Sequence, residues 1–463
     1  RYQPQFFSLK SCCHMYIKLI QPRMTKRPMD TELKIRMSPP LGLYTIARMF
    51  SDYHTVVVEN ESITPIVWDD APDVVGITVT VNLLPRAVEI ARKFRERGSK
   101  VVAGGIHITT APETVPENSF DALCIGPAEL TWPQIIDDLE HGRLKREYRC
   151  KRKFVGEDIV SPAYHLISSA DYLYCNIIHT SRGCPFRCDF CYNSSTERAY
   201  VLRPVEDVVA EIKAIGRKHI MFIDDNFNGN PHWTRKLLAA IRPLHIRWHC
   251  AVSINIAKDT ELLDLMRDCG CMGLFIGFES ISGGSIDSVH KVQNHIDEYE
   301  RAIKEIHDRG IMINASFVFG LDEDTPETFS KTLDWMVKNR IETVTSHILT
   351  PYPGTKVYEQ MRAAGRIVSE DLALYDTAHV VYTPRNLTPE ELYNGYLWIY
   401  KKLYSWRNIL RRMPRSRRQI PSYLLFNIFY RKYGRFTEWL CRLLTYERIG
   451  KIADRSVISR WLH

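Results

Sequence analysis

Residues 182–192 read R-G-C-P-F-R-C-D-F-C-Y, with Cys184, Cys188 and Cys191 at spacing C-x3-C-x2-C. Thiolates are the side chains that suit iron–sulfur clusters. Four irons held by three thiolates leave one iron open. An open iron binds and activates a substrate rather than only storing an electron. A strand-like run at 176–181 comes just before, and Gly183 and Pro185 break it into a loop that can wrap a cluster. Two plainer readings compete. Structural zinc takes four Cys or His ligands, and Cys175 or His179 would supply the fourth. Three buried thiols with no metal are the other.

The remaining candidates collect at the ends of β-branched runs. Asp224, Asp225 and Asn226 follow H-I-M-F-I, Glu279 and Ser280 close G-F-E-S, and Asn314 and Ser316 lie in I-M-I-N-A-S-F-V-F. Upstream, Thr78, Thr80 and Asn82 follow one run, Gly104, Gly105 and His107 the next, and Gly126 and Glu129 the last. Glycines at such ends let a ligand come close to the backbone. Taken singly, an acid after a strand is more often a helix cap or a solvated turn, and Asp225 and Asp322 keep that alternative. Cys250, Cys269 and Cys271 fall in strand or helix patterns and read as small core residues.

Two βα series position these residues. Residues 15–140 begin with the strand M-Y-I-K-L-I, turn into a helix after Pro39 and Pro40, and continue through four more short strands. L-P-R-A-V-E-I-A-R-K-F-R is amphipathic, with Leu84, Ala87, Val88, Ala91 and Phe94 on one face. Alternating strands and helices predict a doubly wound parallel sheet of Rossmann-like type, whose ligands bind outside the carboxyl ends of its strands. Residues 141–172 are irregular and charged and read as a linker. Residues 173–365 carry six further βα units, and 366–463 read as a helical tail, aromatic and basic, with an N-cap at Thr388 before Pro389. Residues 1–14 show no periodicity and are expected to be a non-native or disordered lead.

A chain of 463 residues with 45% apolar content supports two or three packed domains. Twelve cysteines with one tight group argue for a metal site in a reduced compartment over a disulfide framework. No run reaches the length of a transmembrane helix and no secretory signal is apparent, so a cytoplasmic protein is expected. The net charge of +8 is local: residues 401–437 hold eleven Lys or Arg and no acid, and leaving those eleven out turns the balance to −3. That stretch fits either a solvated helical cap or a segment lying at the inner face of a membrane. No motif of a nucleic-acid-binding fold accompanies it.

The spacing C-x3-C-x-Φ-C, with Phe190 as the aromatic Φ, resembles the signature of the radical S-adenosylmethionine (SAM) enzymes. Blocks S-P-P-L-G-L with Leu41, A-G-G-I-H, and the run at 126–131 resemble the cobalamin-binding domain that precedes the radical core in cobalamin-dependent members. In layout the chain looks most like the subgroup holding the hopanoid methylases. The resemblance implies a partial (βα)6 barrel and a 4Fe-4S cluster on Cys184, Cys188 and Cys191. It places SAM against Phe190, Asp224, Asp225, Asn226, Glu279, Ser280, Asn314 and Ser316. It places cobalamin against Leu41, Thr78, Thr80, Asn82, Gly104, Gly105, His107, Gly126 and Glu129. The D-x-H-x-x-G motif that gives a histidine to cobalt is absent, so His107 is expected near the corrin or its tail rather than on cobalt.

The same resemblance implies methylation of an unactivated carbon of a small-molecule or lipid-like substrate through a 5′-deoxyadenosyl radical. Flavodoxin or ferredoxin is the kind of electron donor implied. Rearrangement, cyclisation or carbon–carbon coupling with the same cofactors is the rival reaction, and a cluster- and cobalamin-binding sensor without turnover is the rival class.

Overall fold

The computed structural model describes residues 14–28, 30, 32–195, 200–417, 419–429, 439, 448, 449 and 451. Nearly all of the expected lead, and residues 418 and 430–438 of the basic stretch, lie outside that set. The chain forms two compact units.

The described residues of the first unit run to Met24 and then over Pro40–Lys153 and Asp158–Ile167. Its sheet holds β1 (Tyr16–Gln21), β2 (Thr55–Asn60), β3 (Val74–Thr78), β4 (Lys100–Gly104), β5 (Ala122–Ile125) and β6 (Glu147–Arg149). The order is β2-β1-β3-β4-β5-β6 and every pairing is parallel. The β-branched runs fall on these strands because both sheet faces are covered: Ile17, Leu19 and Ile20 of β1 are all buried. Lys18 is the exception. It is fully enclosed and neutralised by Glu59 at 3.0 Å and Asp70 at 2.5 Å. The short α1 (Glu32–Ile35) belongs to the other unit, and the first resumes at α2 (Leu41–Phe50). It continues through α3 (Leu84–Arg95), α4 (Ile106–Thr110) and α5 (Ala128–Glu140). On α3 the buried face is Leu84, Ala87, Ile90, Ala91 and Phe94, and Val88 is half-buried. The stretch expected to be linker supplies β6.

The second unit takes Thr25–Pro39, Phe154–Glu157 and the described residues from Ser168 onward. Its main sheet has the order β14-β13-β12-β11-β10-β7, all parallel, which is the six-stranded core expected. The strands are β7 (Ile177–Ile178), β10 (His219–Phe222), β11 (Arg247–Val252), β12 (Cys271–Glu279), β13 (Met312–Phe319) and β14 (Thr343–Ile348). A small antiparallel pair, β8 (Ser181–Arg182) and β9 (Val201–Leu202), flanks it. Helices α6 (Val205–Ile215), α7 (Pro231–Ile241), α8 (Thr260–Asp268), α9 (Gly283–Ser288), α10 (Tyr299–Asp308), α11 (Pro326–Lys338) and α12 (Lys356–Ala363) alternate with the strands.

The tail adds α13 (Pro389–Leu403), α14 (Trp406–Arg411) and α15 (Ile420–Phe429). Thr388 and Glu391 form a reciprocal capping box at the start of α13, with Pro389 in the first turn. β14 is an edge strand, and α13 closes that edge. Tyr400 Oη accepts from Ser346 N at 2.6 Å and donates to Ser346 O at 3.0 Å. Tyr404 does the same for Val344, at 3.1 and 3.0 Å. Arg412, fully enclosed, donates to the carbonyls of Ile341, Glu342 and Leu403. Tyr400 and Tyr404 therefore pack against the core.

Candidate active site

The cysteine loop begins where β7 stops short. The run expected as one strand to residue 181 pairs with the main sheet only at Ile177 and Ile178. The amides of Thr180 and Ser181 turn instead to the Asp224 carboxylate at the end of β10, and both hydroxyls donate to it as well. Burial raises the Asp224 carboxyl to about 6 against the pull of these four donors. These bonds tie Asp224 to the turn that leads into the cysteine loop. The exposed Asp225 accepts from Gly183 N at 3.1 Å. Gly183 has φ +83°, which only glycine adopts freely.

Within the loop, Cys188 is buried and Cys184 and Cys191 are half-buried. Burial pushes all three thiols up, Cys191 to about 12, and neighbouring thiols raise Cys184 and Cys191 further. Two amides point at sulfur: Asn226 Nδ2 stands 3.8 Å from Cys184 Sγ, and Gln293 Nε2 stands 3.6 Å from Cys188 Sγ. Amide donors to sulfur suit a cluster-bound thiolate. Among the described residues no three His, Cys, Asp or Glu side chains gather as a single metal ion requires, whereas cluster thiolates each bind a different iron. Cys175 Sγ is directed to the carbonyls of Ser168 and Tyr172. The donor set fits a three-thiolate cluster better than zinc.

Around the cysteines the other candidates divide. Asn226 is buried and also binds Ser253, which donates its amide to Asn226 Oδ1 at 3.3 Å. Glu279 ends β12 at φ +62°, past a register shift after Gly277. It forms a buried ion pair with Lys291 and accepts from Ser316 Oγ at 3.4 Å. Lys291 Nζ lies 5.9 Å from the centre of the Phe190 ring, and its charge pulls the Cys188 thiol down against burial. Ser280 Oγ accepts from Ser282 N at 3.0 Å and shapes a turn. Asn314 lines a cavity of about 300 Å³ with Asp224, Phe275, Met312, Tyr423 and Phe426. Cys250, Cys269 and Cys271 are buried, as expected of core residues. Asp322 pairs with Arg366 and Arg385 in a surface turn.

Lys291 and Gln293 gave no sequence signal, since they lie in a loop where no periodicity marks them. Tyr192 and Tyr352 stack with ring centres 4.3 Å apart.

In the first unit the chain order reverses at β1, with β2 on one side and β3 on the other. That is the switch point at which doubly wound sheets bind ligands. Thr80 Oγ1 donates to Asn82 Oδ1 at 2.8 Å after β3. Gly105, at φ +108°, leaves no room for a Cβ, which would meet the Val79 backbone at 2.7 Å. Gly104 closes β4 beside Cys124. Gly126 has φ +102° and donates its amide to Thr109 Oγ1 at 3.1 Å. Glu129 is buried in the first turn of α5, and Leu41 is buried at the start of α2. Thr78, half-buried, ends β3. These strand ends of small residues and bare backbone fit a large cofactor. His107 departs from the expected loop position. It sits on α4, fully buried, with Nε2 2.9 Å from Thr114 Oγ1 and Nδ1 without a hydrogen-bond partner among the described residues. Burial lowers it to about 4, so it is neutral.

The radical SAM superfamily matches residues 178–336 and the B12 binding domain matches residues 37–136. Bacteriochlorophyllide d C-12(1)-methyltransferase of Chlorobaculum tepidum is 28% identical over 408 residues, 85% of this chain and 88% of that protein. Hopanoid C-2 methylase of Rhodopseudomonas palustris is 28% identical over 361 residues, 72% of this chain and 66% of that one. Among solved structures, TsrM of Kitasatospora setae with cobalamin and a [4Fe-4S] cluster superposes with TM-score 0.65 at 18% identity, covering 96% of this chain and 99% of that one. OxsB with aqua-cobalamin gives 0.66 at 15% identity, covering 97% and 79%.

Proposed function

This chain belongs to the cobalamin-dependent radical SAM enzymes, and from that premise we propose that it methylates an unactivated carbon of a large apolar ring system. The observation that carries the reading is the cysteine loop: one buried and two half-buried thiols, two of the three facing an amide donor. The named substrates of the similar methyltransferases, a chlorin and a hopanoid, share an extended apolar skeleton. The apolar lining of the cavity beside Asn314 supports the same class.

Cys184, Cys188 and Cys191 would hold the cluster. Asn226, Glu279, Ser316 and Lys291 would offer opposite charges and hydrogen bonds to the amino-acid end of SAM, and the Phe190 ring lies beside Lys291. The ends of β3, β4 and β5 would hold cobalamin. When bound, these groups supply the electron that opens the sulfonium, a radical that takes hydrogen from carbon, and the methyl group to replace it. The chain's own part is placement. Asp224 and Asp225 fix the two ends of the turn into the cysteine loop. Lys291 and Glu279 cancel each other's charge within the site. Partial burial of the thiols would limit the water that reaches the metal.

Anaerobic reconstitution with iron, sulfide and cobalamin, followed by reductant, SAM and a chlorin or hopanoid acceptor, tests the reading. The expected products are 5′-deoxyadenosine, S-adenosylhomocysteine and an acceptor heavier by one methylene. Deoxyadenosine alone, with an acceptor of unchanged mass, would favour rearrangement. No SAM cleavage by the fully loaded protein would end the enzyme reading.

A further inference from the structure

The outward face of the first tail helices has a composition that packing does not explain. Tyr396, Tyr400 and Tyr404 of this segment are buried. Trp398 is 36% exposed, Trp406 50% and Leu410 61%. Trp406 and Leu410 are one turn apart on α14, and Trp398 lies toward the end of α13. The joint between the two helices is fixed. Ser405 caps α14 by accepting from Asn408 N, and Asn408 Nδ2 donates to Lys402 O at 3.0 Å.

Cations surround these apolar groups. Lys401, Lys402, Arg407, Arg411, Arg415 and Arg417 are exposed. Lys402 Nζ stands 5.9 Å from the Trp398 ring centre. Arg412 alone among the described cations of this stretch turns inward. No Asp or Glu occurs between residues 392 and 437. Two indoles and a leucine, ringed by exposed cations on a stretch with no acid of its own, match the two components of an interfacial membrane site: apolar groups at the headgroup boundary and charge attracted to anionic lipid.

We propose that the outward face of α13 and α14 binds the surface of an anionic lipid bilayer. Trp398, Trp406 and Leu410 enter the headgroup boundary, and Lys401, Lys402, Arg407 and Arg411 meet the lipid phosphates. The attachment lies on the bilayer, since no helix among the described residues is long and apolar enough to cross it. An apolar methyl acceptor dissolves in such a bilayer, so the surface would bring the enzyme to its substrate. Only that purpose rests on the proposed reaction; the binding does not.

The test mixes the full chain with vesicles of phosphatidylcholine alone, or of phosphatidylcholine with about one third phosphatidylglycerol, and sediments them. The expected result is binding to the anionic vesicles only, weakened by salt, with tryptophan emission shifted to the blue. Each of K401Q, K402Q, R407Q and R411Q should weaken binding about fivefold, and W398S with W406S should remove the emission shift. SAM cleavage in vesicle-free buffer should be unchanged in all of them, which separates this proposal from the reaction. Equal binding to both vesicle types, binding that the combined variants leave intact, or preferential capture by duplex DNA would overturn it.

Discussion

Lys291 stands between Glu279 and Cys188. Its ammonium forms a buried ion pair with Glu279, and the same charge lowers the Cys188 thiol. Removing one member of a buried pair leaves the other charged and unpartnered, at a cost of about 3–5 kcal/mol. K291M is therefore expected to lower the denaturation midpoint of the cluster-free protein clearly. It should also lower iron retained per chain, because the Cys188 thiol loses a cation that favours its ionised form. Adding E279Q should restore most of the stability and little of the iron. A single K291M variant within about 1 kcal/mol of wild type would mean that the pair is solvated rather than buried.

Asp224 accepts four hydrogen bonds from Thr180 and Ser181 and makes the turn into the cysteine loop. D224A would leave those donors unpaired in a buried site, costing about 1–3 kcal/mol per unsatisfied group. The expected signature is a loss of iron on reconstitution. The fraction that does load should bind SAM with near-normal affinity, which isothermal titration on iron-normalised protein would measure. A large loss of SAM affinity at full iron content would put Asp224 in the ligand set.

The difference between Asp224 and the cysteines shows what the sequence could and could not convey. The thiols are close in the chain, so their spacing suggested a ligand set, with zinc and metal-free thiols as alternatives, and the two βα series followed from periodic apolar runs that the sheets reproduce. Long-range partners left no such mark. Lys291 reaches Glu279 from a loop twelve residues on, and Asp224 reaches back across forty-four residues to Thr180. Burial also reassigned His107, whose glycine-flanked setting looked like an open loop. The dense aromatics of α13 suited both a core and a membrane, and the tyrosines joined the edge of β14 while the tryptophans stayed outside.

That edge can be tested directly. Tyr400 and Tyr404 each donate to and accept from one residue of β14. Replacing either with Phe keeps the ring and leaves a backbone amide and carbonyl unpaired. The expected loss is about 1–3 kcal/mol per substitution, measured by urea unfolding. Faster hydrogen exchange should appear at the Ser346 amide in Y400F and at the Val344 amide in Y404F. Unchanged protection at both amides would show that water replaces the phenols without penalty.

His107 gives a pH dependence whose sign is fixed by burial. Its folded value is lowered to about 4 from an ordinary 6.5. Between those values the unfolded chain binds a proton that the folded chain refuses, so stability rises with pH across the window. The contribution is fully present above pH 6.5 and is lost as pH falls toward 4, by up to about 3 kcal/mol. His179 and His249, both lowered to about 3 by burial, add to the same slope in the second unit. Thermal melts of the first unit's transition from pH 7.5 to 4.5 should show a slope that H107Q reduces while leaving stability at neutral pH within about 2 kcal/mol of wild type. An identical slope in H107Q would mean that the imidazole is protonated in the folded protein, with an acceptor on its Nδ1.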